Sequence, residues 1–263
     1  CTMTPQLTQR YFLSAGETNA EAEMSLPLLT SRIIDISTAH ANALHIGNPD
    51  MADRGCGWVL SRLALEMERY PKVNEEYCLT TWIESFNRHF SERIVQVSDS
   101  EGNPLGYSRA VWMVLDYNTR QSVGLSHLVI PEDLPMPGRC PIARQGKHVP
   151  VLPVDHDGEL PKGAVVATAP AYEYRFKYCD LDFYRHVNTV KYIELLLNRL
   201  TLEDFDRTRV KRMELAFMHE SRYDQHALVW RADHDLTSYF SINNLETGEP
   251  GLIARLDRTI RNA

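Results

Sequence analysis

Hydrophobic residues in two stretches of the chain recur at the three- or four-residue spacing of a helix that buries one face. The first stretch predicts a helix over residues 28–46, which Gly47 ends. The second predicts a helix over residues 187–200, with Asn188 as its N-cap. The positions that define these faces are Leu29, Ile33, Ile36, His40 and Ala43 in the first helix, and Val190, Ile193, Leu197 and Leu200 in the second.

Most of the remaining chain follows the two-residue period of β-strands, interrupted by turn residues. Residues 11–24 alternate loosely, and a polar loop with Pro49 and Gly55 separates the first helix from a series of strands. The predicted strands cover residues 58–69, 77–87, 90–98 and 105–116 in the first half, and residues 171–178, 209–219, 227–234, 238–243 and 252–260 in the second.

The second half of the chain repeats the element order of the first. Gly102-Asn103-Pro104 precedes one final strand and Gly248-Glu249-Pro250 precedes the other, 146 positions later (248 − 102), and the two helices are offset similarly. Self-similarity on this scale predicts a duplicated α+β unit, in which an antiparallel sheet curves around a central helix. Coincidence is the alternative, because a strand, a helix and further strands are a common order.

A proline-rich segment separates the two halves. Six prolines fall within residues 131–153, where the hydrophobic pattern has little periodicity. This composition predicts an extended connector that lies over the surface. We therefore predict an N-terminal unit over residues 1–130, a connector over residues 131–165 and a C-terminal unit over residues 166–263.

Composition and charge narrow the possible functions. The net charge of −7 argues against general nucleic-acid binding. No apolar run approaches the roughly 20 residues of a membrane helix, and the first ten residues show no signal-peptide or transit pattern. Five scattered cysteines without a C-x-x-C spacing favour free thiols in a reducing cytoplasm and do not support a metal site. Because there is no glycine-rich phosphate loop, we expect no nucleotide cofactor.

Acidic and imidazole side chains cluster just before the second helix. Asp182 and His186 precede Asn188, and the first-turn amides near Val187 and Asn188 could polarise a carbonyl oxygen. An acid, a histidine and donor amides at one helix start could support acyl transfer. The alternative is that Asp182 forms a turn, Asn188 only caps the helix and His186 is a packed side chain.

These motifs resemble those of a known family. Residues 180–193, DLDFYRHVNTVKYI, are similar to the D-L-D-x-N-x-H-V-N-N-V-K-Y-I motif of the acyl-acyl-carrier-protein thioesterases of plants and bacteria. Residues 215–224 resemble the family's L-x-x-x-x-E-C-x-x-D, and residues 57–62 and 69–71 resemble its W-V-x-x-R and R-Y-P. The resemblance covers nearly the whole chain and implies an α+β fold of two tandem hot-dog units, each an antiparallel β-sheet wrapped around a central helix.

The resemblance implies catalytic roles for Asp182, His186 and Glu220. A strand would carry Glu220 to the helix start as the general base, and Asp182 would orient His186 or the attacking water. Tyr184 and Asn188 are candidates for catalytic support. For Glu220 the alternative is an ordinary surface acid.

Three positions depart from the family's motifs. Tyr184 and Thr189 replace asparagines, and Ser221 replaces a cysteine, so the roles of those residues are not carried over. If the segment stays extended, Tyr184 should lie beside Asp182 and His186, because residues two apart in a strand point the same way.

The family's first half shapes the pocket for the acyl chain. This implies that Ile36, Ala39, Ala43 and Trp58 bind substrate, although packing in the core explains the same residues equally well.

The resemblance implies a thioester hydrolase of the bacterial cytoplasm that releases free fatty acid from acyl carrier protein in fatty acid biosynthesis, a part of lipid metabolism. An acyl-CoA thioesterase and a non-catalytic acyl-binding hot-dog protein are the alternatives. The implied partner is an acyl carrier protein carrying a fatty acyl chain, and a homodimer is also open. A candidate dock for this acidic partner is the basic cluster Arg207, Arg209, Lys211 and Arg212.

Overall fold

A computed structural model describes residues 5–126, 128 and 138–261 of the protein. Its contacts divide the chain into two compact units, Cys1–Arg144 and Gln145–Ala263. Each unit contains an antiparallel sheet and a helix, which confirms the predicted α+β class. None of the helices among the described residues has the length and apolar character needed to cross a membrane.

The first unit is a five-stranded antiparallel sheet with one long helix. Its strands follow one another across the sheet in the order β1-β3-β4-β5-β2. The elements in chain order are β1 (Gln6–Phe12), α1 (Leu26–Ala43), α2 (Asn48–Ala52), β2 (Cys56–Met67), β3 (Glu76–Phe86), β4 (Ser91–Asp99) and β5 (Pro104–Asp116).

The helix α1 packs its apolar face on this sheet. The hydroxyl of Ser25 accepts the N–H of Leu28 and caps the first turn, as expected for serine at this position. Leu29, Ile33 and Ile36 are completely buried, and each such side chain stabilises the fold by about 1.5–3 kcal/mol. These positions and the buried His40 follow the predicted helical face, whereas Ala43, its last predicted position, is exposed.

Several boundaries in the first unit differ from the prediction. Helix α1 ends at Ala43 rather than at residue 46, and His45 has a positive φ of 55°, which an α-helix does not allow. The first strand begins at Gln6, before the loosely alternating residues 11–24, and residues 15–17 form a single 3-10 turn. The short helix α2 lies in the segment predicted as a polar loop, with a proline in its first turn.

The second unit has the same strand order. Its sheet runs β8-β10-β11-β12-β9, so each strand has a counterpart at the same place in the first sheet. The elements are β6 (Val151–Leu152), β7 (Val165–Val166), β8 (Tyr172–Arg175), α3 (Thr189–Leu197), α4 (Leu202–Arg207), β9 (Thr208–Phe217), β10 (His226–His234), β11 (Thr237–Asn244) and β12 (Pro250–Ile260).

The shared topology supports the predicted duplication, but the helices are not offset like the last strands. The starts of α1 and α3 lie 163 positions apart (189 − 26), whereas β5 and β12 start 146 apart (250 − 104). The difference of 17 residues falls between the helix start and the last strand. Eleven of these residues lie between the helix start and the next strand (30 residues to β2 against 19 to β9), mainly because α1 has 18 residues and α3 has 9, and the other six lie between the later strands.

The proline-rich connector is more tightly packed than predicted. Its residues 131–137 lie outside the described part of the chain. Cys140 and Ile142 are buried against Trp82 and Ile94 of the first unit, and Arg109 donates to the carbonyls of both connector residues at 3.4 Å. The prediction of a segment lying only over the surface is therefore wrong for this part, because its apolar side chains cover the outer face of the sheet.

Further along, the connector pairs within the second unit. Strands β6 and β7 form a two-stranded parallel sheet that the sequence pattern did not predict. Val151 is buried together with Ala167 and Ala232, and its N–H donates to the hydroxyl of Ser241 at 2.8 Å.

Candidate active site

A tight turn organised by Asp182 precedes helix α3. One carboxylate oxygen of Asp182 accepts the N–H of Tyr184 at 2.9 Å and the N–H of His186 at 3.0 Å. The backbone N–H of Asp182 donates to the carbonyl of His186 at 2.8 Å, and Arg185 has a positive φ of 63°. The carboxylate therefore fixes the position of His186 through the backbone, and the hydrogen bonds it makes are charge-assisted.

Asp180 and Lys191 hold this turn to the helix. Asp180 is buried and accepts the N–H of Lys177 at 2.7 Å and the hydroxyl of Tyr174 at 3.0 Å. The ammonium of Lys191 lies 3.1 Å from the Asp180 carboxylate and 2.8 Å from that of Glu194. Burial by itself lowers the pKa of Lys191, but hydrogen bonds and charges from the two carboxylates outweigh it and raise that pKa above its ordinary value.

The structure brings His186 and Glu220 together. The Nε2 atom of His186 lies 3.3 Å from a carboxylate oxygen of Glu220, and the two side chains are 17% and 37% exposed. Glu220 lies in the loop after β9, not on the strand as predicted. An isolated antiparallel bridge between His186 and Arg222 holds that loop against the Asp182 turn. The resulting acid–imidazole pair is partly open to solvent, as a pair that must meet water and substrate requires.

The amides predicted to polarise a carbonyl are already used. The N–H of Val187 donates to the carbonyl of Ser221 at 2.9 Å, and that of Asn188 donates to the carbonyl of Asp180 at 2.8 Å. The prediction of oxyanion donors at Val187 and Asn188 is therefore wrong, because the loop pairings consume these groups. Within the described part of the chain, the first-turn N–H of Thr189 has no acceptor and is the remaining donor at the helix start.

Asn188 acts as the N-cap that the sequence predicted. Its side-chain oxygen accepts the N–H of Val190 at 3.0 Å, and the helix proper begins at Thr189. Because the oxygen is committed to the cap, only the amide nitrogen of this side chain could take part in catalytic support, which stays a prediction.

Tyr184 does not lie in an extended segment. Asp182 and His186 close a turn instead, so the prediction that Tyr184 lies beside them, which assumed an extended segment, has lost its basis. The phenol ring is 37% exposed and lies 4.0 Å, centroid to centroid, from the ring of Phe183. A supporting role for Tyr184 in catalysis stays a prediction, without the argument from an extended segment.

One residue near the site was not predicted from the sequence. Tyr192, on α3, is 4% exposed, and its ring makes edge contacts with Phe176 and Phe217. Among the residues that the structure describes, its buried hydroxyl has no hydrogen bond of good geometry. Burial raises the pKa of Tyr192, Ser221 opposes this, and the charge of Glu220 adds to it, so the hydroxyl lies near the candidate loop. Its place one helical turn after Asn188 was the available signal.

The first unit contains the same turn before its own helix. The side-chain oxygen of Asn19 accepts the N–H of Glu21 at 3.1 Å and of Glu23 at 3.0 Å, as Asp182 does in the second unit. The N–H of Asn19 donates to the carbonyl of Glu23 at 2.8 Å, and Ala22 has a positive φ of 58°. The turn is therefore a feature of both copies and needs no carboxylate.

The chemical side chains differ between the two copies. Glu23 occupies the position of His186, and Tyr70 occupies that of Glu220. The correspondence follows from equivalent backbone hydrogen bonds. In the first unit, the N–H of the residue after Glu23 donates to the carbonyl of the residue after Tyr70 at 2.8 Å. In the second unit, the N–H of the residue after His186 donates to the carbonyl of the residue after Glu220 at 2.9 Å. Only the second unit combines this backbone with an imidazole and a carboxylate.

The four predicted substrate-binding residues are placed differently from one another. Ile36 is completely buried, Ala39 is half-buried and Ala43 is exposed. The indole N–H of Trp58 donates to the carbonyl of Ile46 at 2.6 Å, and its ring packs in a cluster with Met51 and Val114. Their role in binding an acyl chain stays a prediction.

The described residues contain no group of three or more histidine, cysteine, aspartate or glutamate side chains arranged to hold a metal ion. The groups that the structure places at the start of α3 are a carboxylate, an imidazole and a helix amide.

Comparisons with known proteins agree with this architecture. Residues 5–130 match the acyl-ACP thioesterase N-terminal domain, and residues 164–253 match the acyl-ACP thioesterase C-terminal domain. A chloroplastic acyl-acyl-carrier-protein hydrolase of Cuphea viscosissima is 23% identical over 97% of this chain and 63% of its own length. A palmitoyl-acyl carrier protein thioesterase of Gossypium hirsutum is 23% identical over 82% of this chain and 52% of its own length. This chain therefore spans only 52% to 63% of the length of these relatives.

Two solved structures share the fold over nearly the whole chain. An acyl-ACP thioesterase from Bacteroides thetaiotaomicron superposes with a TM-score of 0.85 at 23% identity, covering 97% of this chain and 98% of that one. The 12:0-ACP thioesterase from Umbellularia californica gives 0.75 at 17% identity, covering 97% and 94%. These likenesses confirm the predicted tandem hot-dog fold. The two domain matches together cover most of the sequence, and this protein therefore belongs to the acyl-ACP thioesterase family.

Proposed function

We propose that this protein hydrolyses the thioester of an acyl group on acyl carrier protein and releases a free fatty acid, as a step of fatty acid biosynthesis in the bacterial cytoplasm. The observation that carries the proposal is the pair of His186 and Glu220, 3.3 Å apart beside the start of α3. Family membership supports the same activity.

Glu220 is the general base in this proposal. Its carboxylate accepts a proton from a water molecule while the water oxygen attacks the thioester carbonyl carbon, and this assistance is worth roughly 10²- to 10⁴-fold in rate. The C–S bond then breaks, and the protonated Glu220 returns the proton to the leaving sulfur. The products are a carboxylic acid and the thiol of the carrier.

His186 and the helix start assist that step. The imidazole of His186, whose Nε2 atom lies 3.3 Å from the Glu220 carboxylate, keeps that carboxylate oriented toward the water when Nε2 carries a proton. The free N–H of Thr189 is the available donor for the oxyanion that forms on the carbonyl, and one such donor is worth roughly 3 kcal/mol. Asp182 positions His186 through its backbone.

Substitution of the base tests the proposal. Glu220→Gln should lower kcat by about two orders of magnitude or more, because the amide cannot accept the proton. His186→Ala should do the same, while thermal unfolding and acyl binding stay near wild type. The matched control is Glu249→Gln, which removes an exposed carboxylate that faces His219 at 3.9 Å. Wild-type turnover in Glu220→Gln would remove this residue from the mechanism.

The carrier of the acyl group is decided by direct comparison. Hydrolysis should be measured side by side with acyl carrier protein and CoA bearing the same acyl chain. Preference for CoA would favour the alternative of an acyl-CoA thioesterase, and binding of acyl groups without hydrolysis of either would favour the non-catalytic alternative.

The candidate dock for acyl carrier protein is smaller than the sequence suggested. Arg207 pairs with Glu203, and Arg212 pairs with Glu214 at 2.8 Å, so neighbouring carboxylates offset their charges. We assign the attraction of an acidic carrier to Arg209 and Lys211, which lie two residues apart on β9 and therefore on the same face of the strand.

A further inference from the structure

A buried cation lies beneath helix α1 of the first unit. Arg93, on β4, is 4% exposed, and its Nη1 atom lies 2.7 Å from Nδ1 of His40 on α1 and 3.4 Å from the hydroxyl of Thr81. His40 and Thr81 are themselves completely buried. Burial lowers the pKa of Arg93 to about 10, so the guanidinium still carries its charge at neutral pH.

Among the described residues, the charge of Arg93 has no counter-ion. Within the described ranges no carboxylate lies at ion-pair distance from Arg93, and its two side-chain partners are an imidazole nitrogen of His40 and the hydroxyl of Thr81. A buried cation without a compensating anion or a full set of acceptors is strongly unfavourable. The cross-strand neighbours Ile83 and Ala110 offer no side-chain acceptor.

The other buried arginine of this unit shows what a satisfied site looks like. Arg109 is 8% exposed and contacts the carboxylates of both Glu84 and Glu92, the latter at 2.7 Å. Burial opposes the charged form of Arg109, but those carboxylates raise its pKa above the ordinary value. The two arginines are similarly little exposed, but among the described residues carboxylates contact only Arg109.

A second polar group on the same sheet face also lacks a partner. Ser108 is completely buried, and its hydroxyl has no hydrogen bond among the described residues. Ser108 pairs with Val95 in the register of β4 and β5, where Ala110 pairs with Arg93. Because residues two apart in a strand share a face, Ser108 and Arg93 lie diagonally across the strand pair and both face α1.

We propose that Arg93, with His40 and Ser108, forms a subsite under α1 that hydrogen-bonds an oxygen atom carried on an acyl chain. The subsite selects oxygen-bearing acyl chains, with a hydroxyl, keto or carboxyl group on the hydrocarbon part, over plain hydrocarbon chains. His40 lies one helical turn after Ile36, one of the residues predicted to bind substrate. The identity of the ligand as an acyl chain rests on the proposed function.

Binding of fatty acids to the full chain tests this inference. Calorimetric titration should compare saturated fatty acids of eight to sixteen carbons with the same chains bearing a hydroxyl at successive positions, and with the matching dicarboxylic acids. At least one oxygen-bearing chain should bind about tenfold or more tightly than its plain counterpart, as a bond to a charged donor allows. Preference for the dicarboxylic acid alone would assign the subsite to anions, and preference for both would assign it to any accepting oxygen.

Variants connect the preference to the subsite. Arg93→Met should abolish it, and Ser108→Ala should reduce it by about threefold with the fold retained, so the test survives if the first variant unfolds. The control Arg10→Met makes the same change of charge at an exposed position and should leave the preference intact. Equal binding of plain and oxygen-bearing chains in the wild type, or a preference that is unchanged in Ser108→Ala and in any folded Arg93→Met protein, would overturn the inference.

Hydrolysis separates this inference from the proposed function. If acyl carrier protein substrates with plain, hydroxylated and carboxyl-bearing chains are all hydrolysed equally well, the subsite is refuted and the hydrolase stands. If the protein binds oxygen-bearing chains selectively but hydrolyses no thioester, the proposed function is refuted and the subsite stands.

Discussion

Replacement of Asp182 distinguishes a chemical role from a structural one. Its carboxylate accepts two backbone N–H groups, at 2.9 Å and 3.0 Å, and the equivalent turn in the first unit is held by the neutral amide of Asn19. We therefore expect Asp182→Asn to keep the turn, because the asparagine oxygen accepts the same two bonds, and Asp182→Ala to lose it.

The expected magnitudes follow from the two bonds. A hydrogen bond to a charged acceptor is worth about 2 kcal/mol and a neutral one about 1 kcal/mol. Asp182→Asn then loses about 2 kcal/mol in total, which lowers kcat/KM by at most roughly 30-fold. Asp182→Ala loses about 4 kcal/mol, equivalent to roughly a thousandfold. Both are upper limits, because water reaches this partly exposed turn and replaces some of the lost bonding.

The assay is hydrolysis of acyl carrier protein substrate, with thermal unfolding measured in parallel. Asn19→Ala is the matched control, since it removes the same bonds in the unit that lacks the histidine. It should lower the unfolding temperature and leave kcat within about threefold. An Asp182→Asn protein that is as inactive as Asp182→Ala and as stable as wild type would refute the reasoning, because the negative charge itself would then act in the reaction.

Three further predictions concern other parts of the chain. Glu92→Gln should lower the free energy of unfolding in urea by about 3 kcal/mol, because it breaks the buried pair with Arg109. Burial favours the neutral form of Glu92, but the interaction with Arg109 outweighs it and lowers the Glu92 pKa. The stability that this carboxylate gives the wild type should therefore be lost as the pH falls below the ordinary pKa of glutamate. Unfolding free energies that do not change with acid pH in either protein would contradict this. Tyr192→Phe should raise the unfolding temperature, since it removes a buried hydroxyl without a hydrogen bond; a lower temperature would instead reveal a bond to the Glu220 loop. Reversal of Arg209 and Lys211 to glutamate should raise the KM for carrier-bound substrate at low salt and leave kcat nearly unchanged, and kinetics that do not respond would place the dock elsewhere.

Much of the architecture was predictable because it follows from periodicity. The buried positions Leu29, Ile33 and Ile36 recur at helical spacing, and the strand segments alternate with clear turn residues between them. The duplication was visible for the same reason, since segments with helical and two-residue periodicity follow one another in the same order in both halves. The proximity of His186 and Glu220 was expected from the resemblance, and the structure brings the two side chains to 3.3 Å.

The details of the site were not predictable from local patterns. Whether the amides of Val187 and Asn188 are free depends on bonds to Ser221 and Asp180, and the first of these is a contact between residues far apart in sequence. The position of Tyr184 depended on a turn rather than on a strand, and an Asp before a helix suits either. Likewise, the positions of Arg93 and Arg109 in the sequence do not show that Arg109 contacts two carboxylates while Arg93 contacts none among the described residues.

The packing of the connector has a practical consequence for dissection of the chain. A first-unit fragment ended at residue 130, the predicted boundary, would lack Cys140 and Ile142 and would expose the apolar surface of Trp82 and Ile94. It would also lack Arg144, which lies 2.9 Å from the buried Glu92 carboxylate. A fragment that extends through Arg144 keeps these contacts, so it should be the shortest first-unit fragment that can be expressed without aggregation.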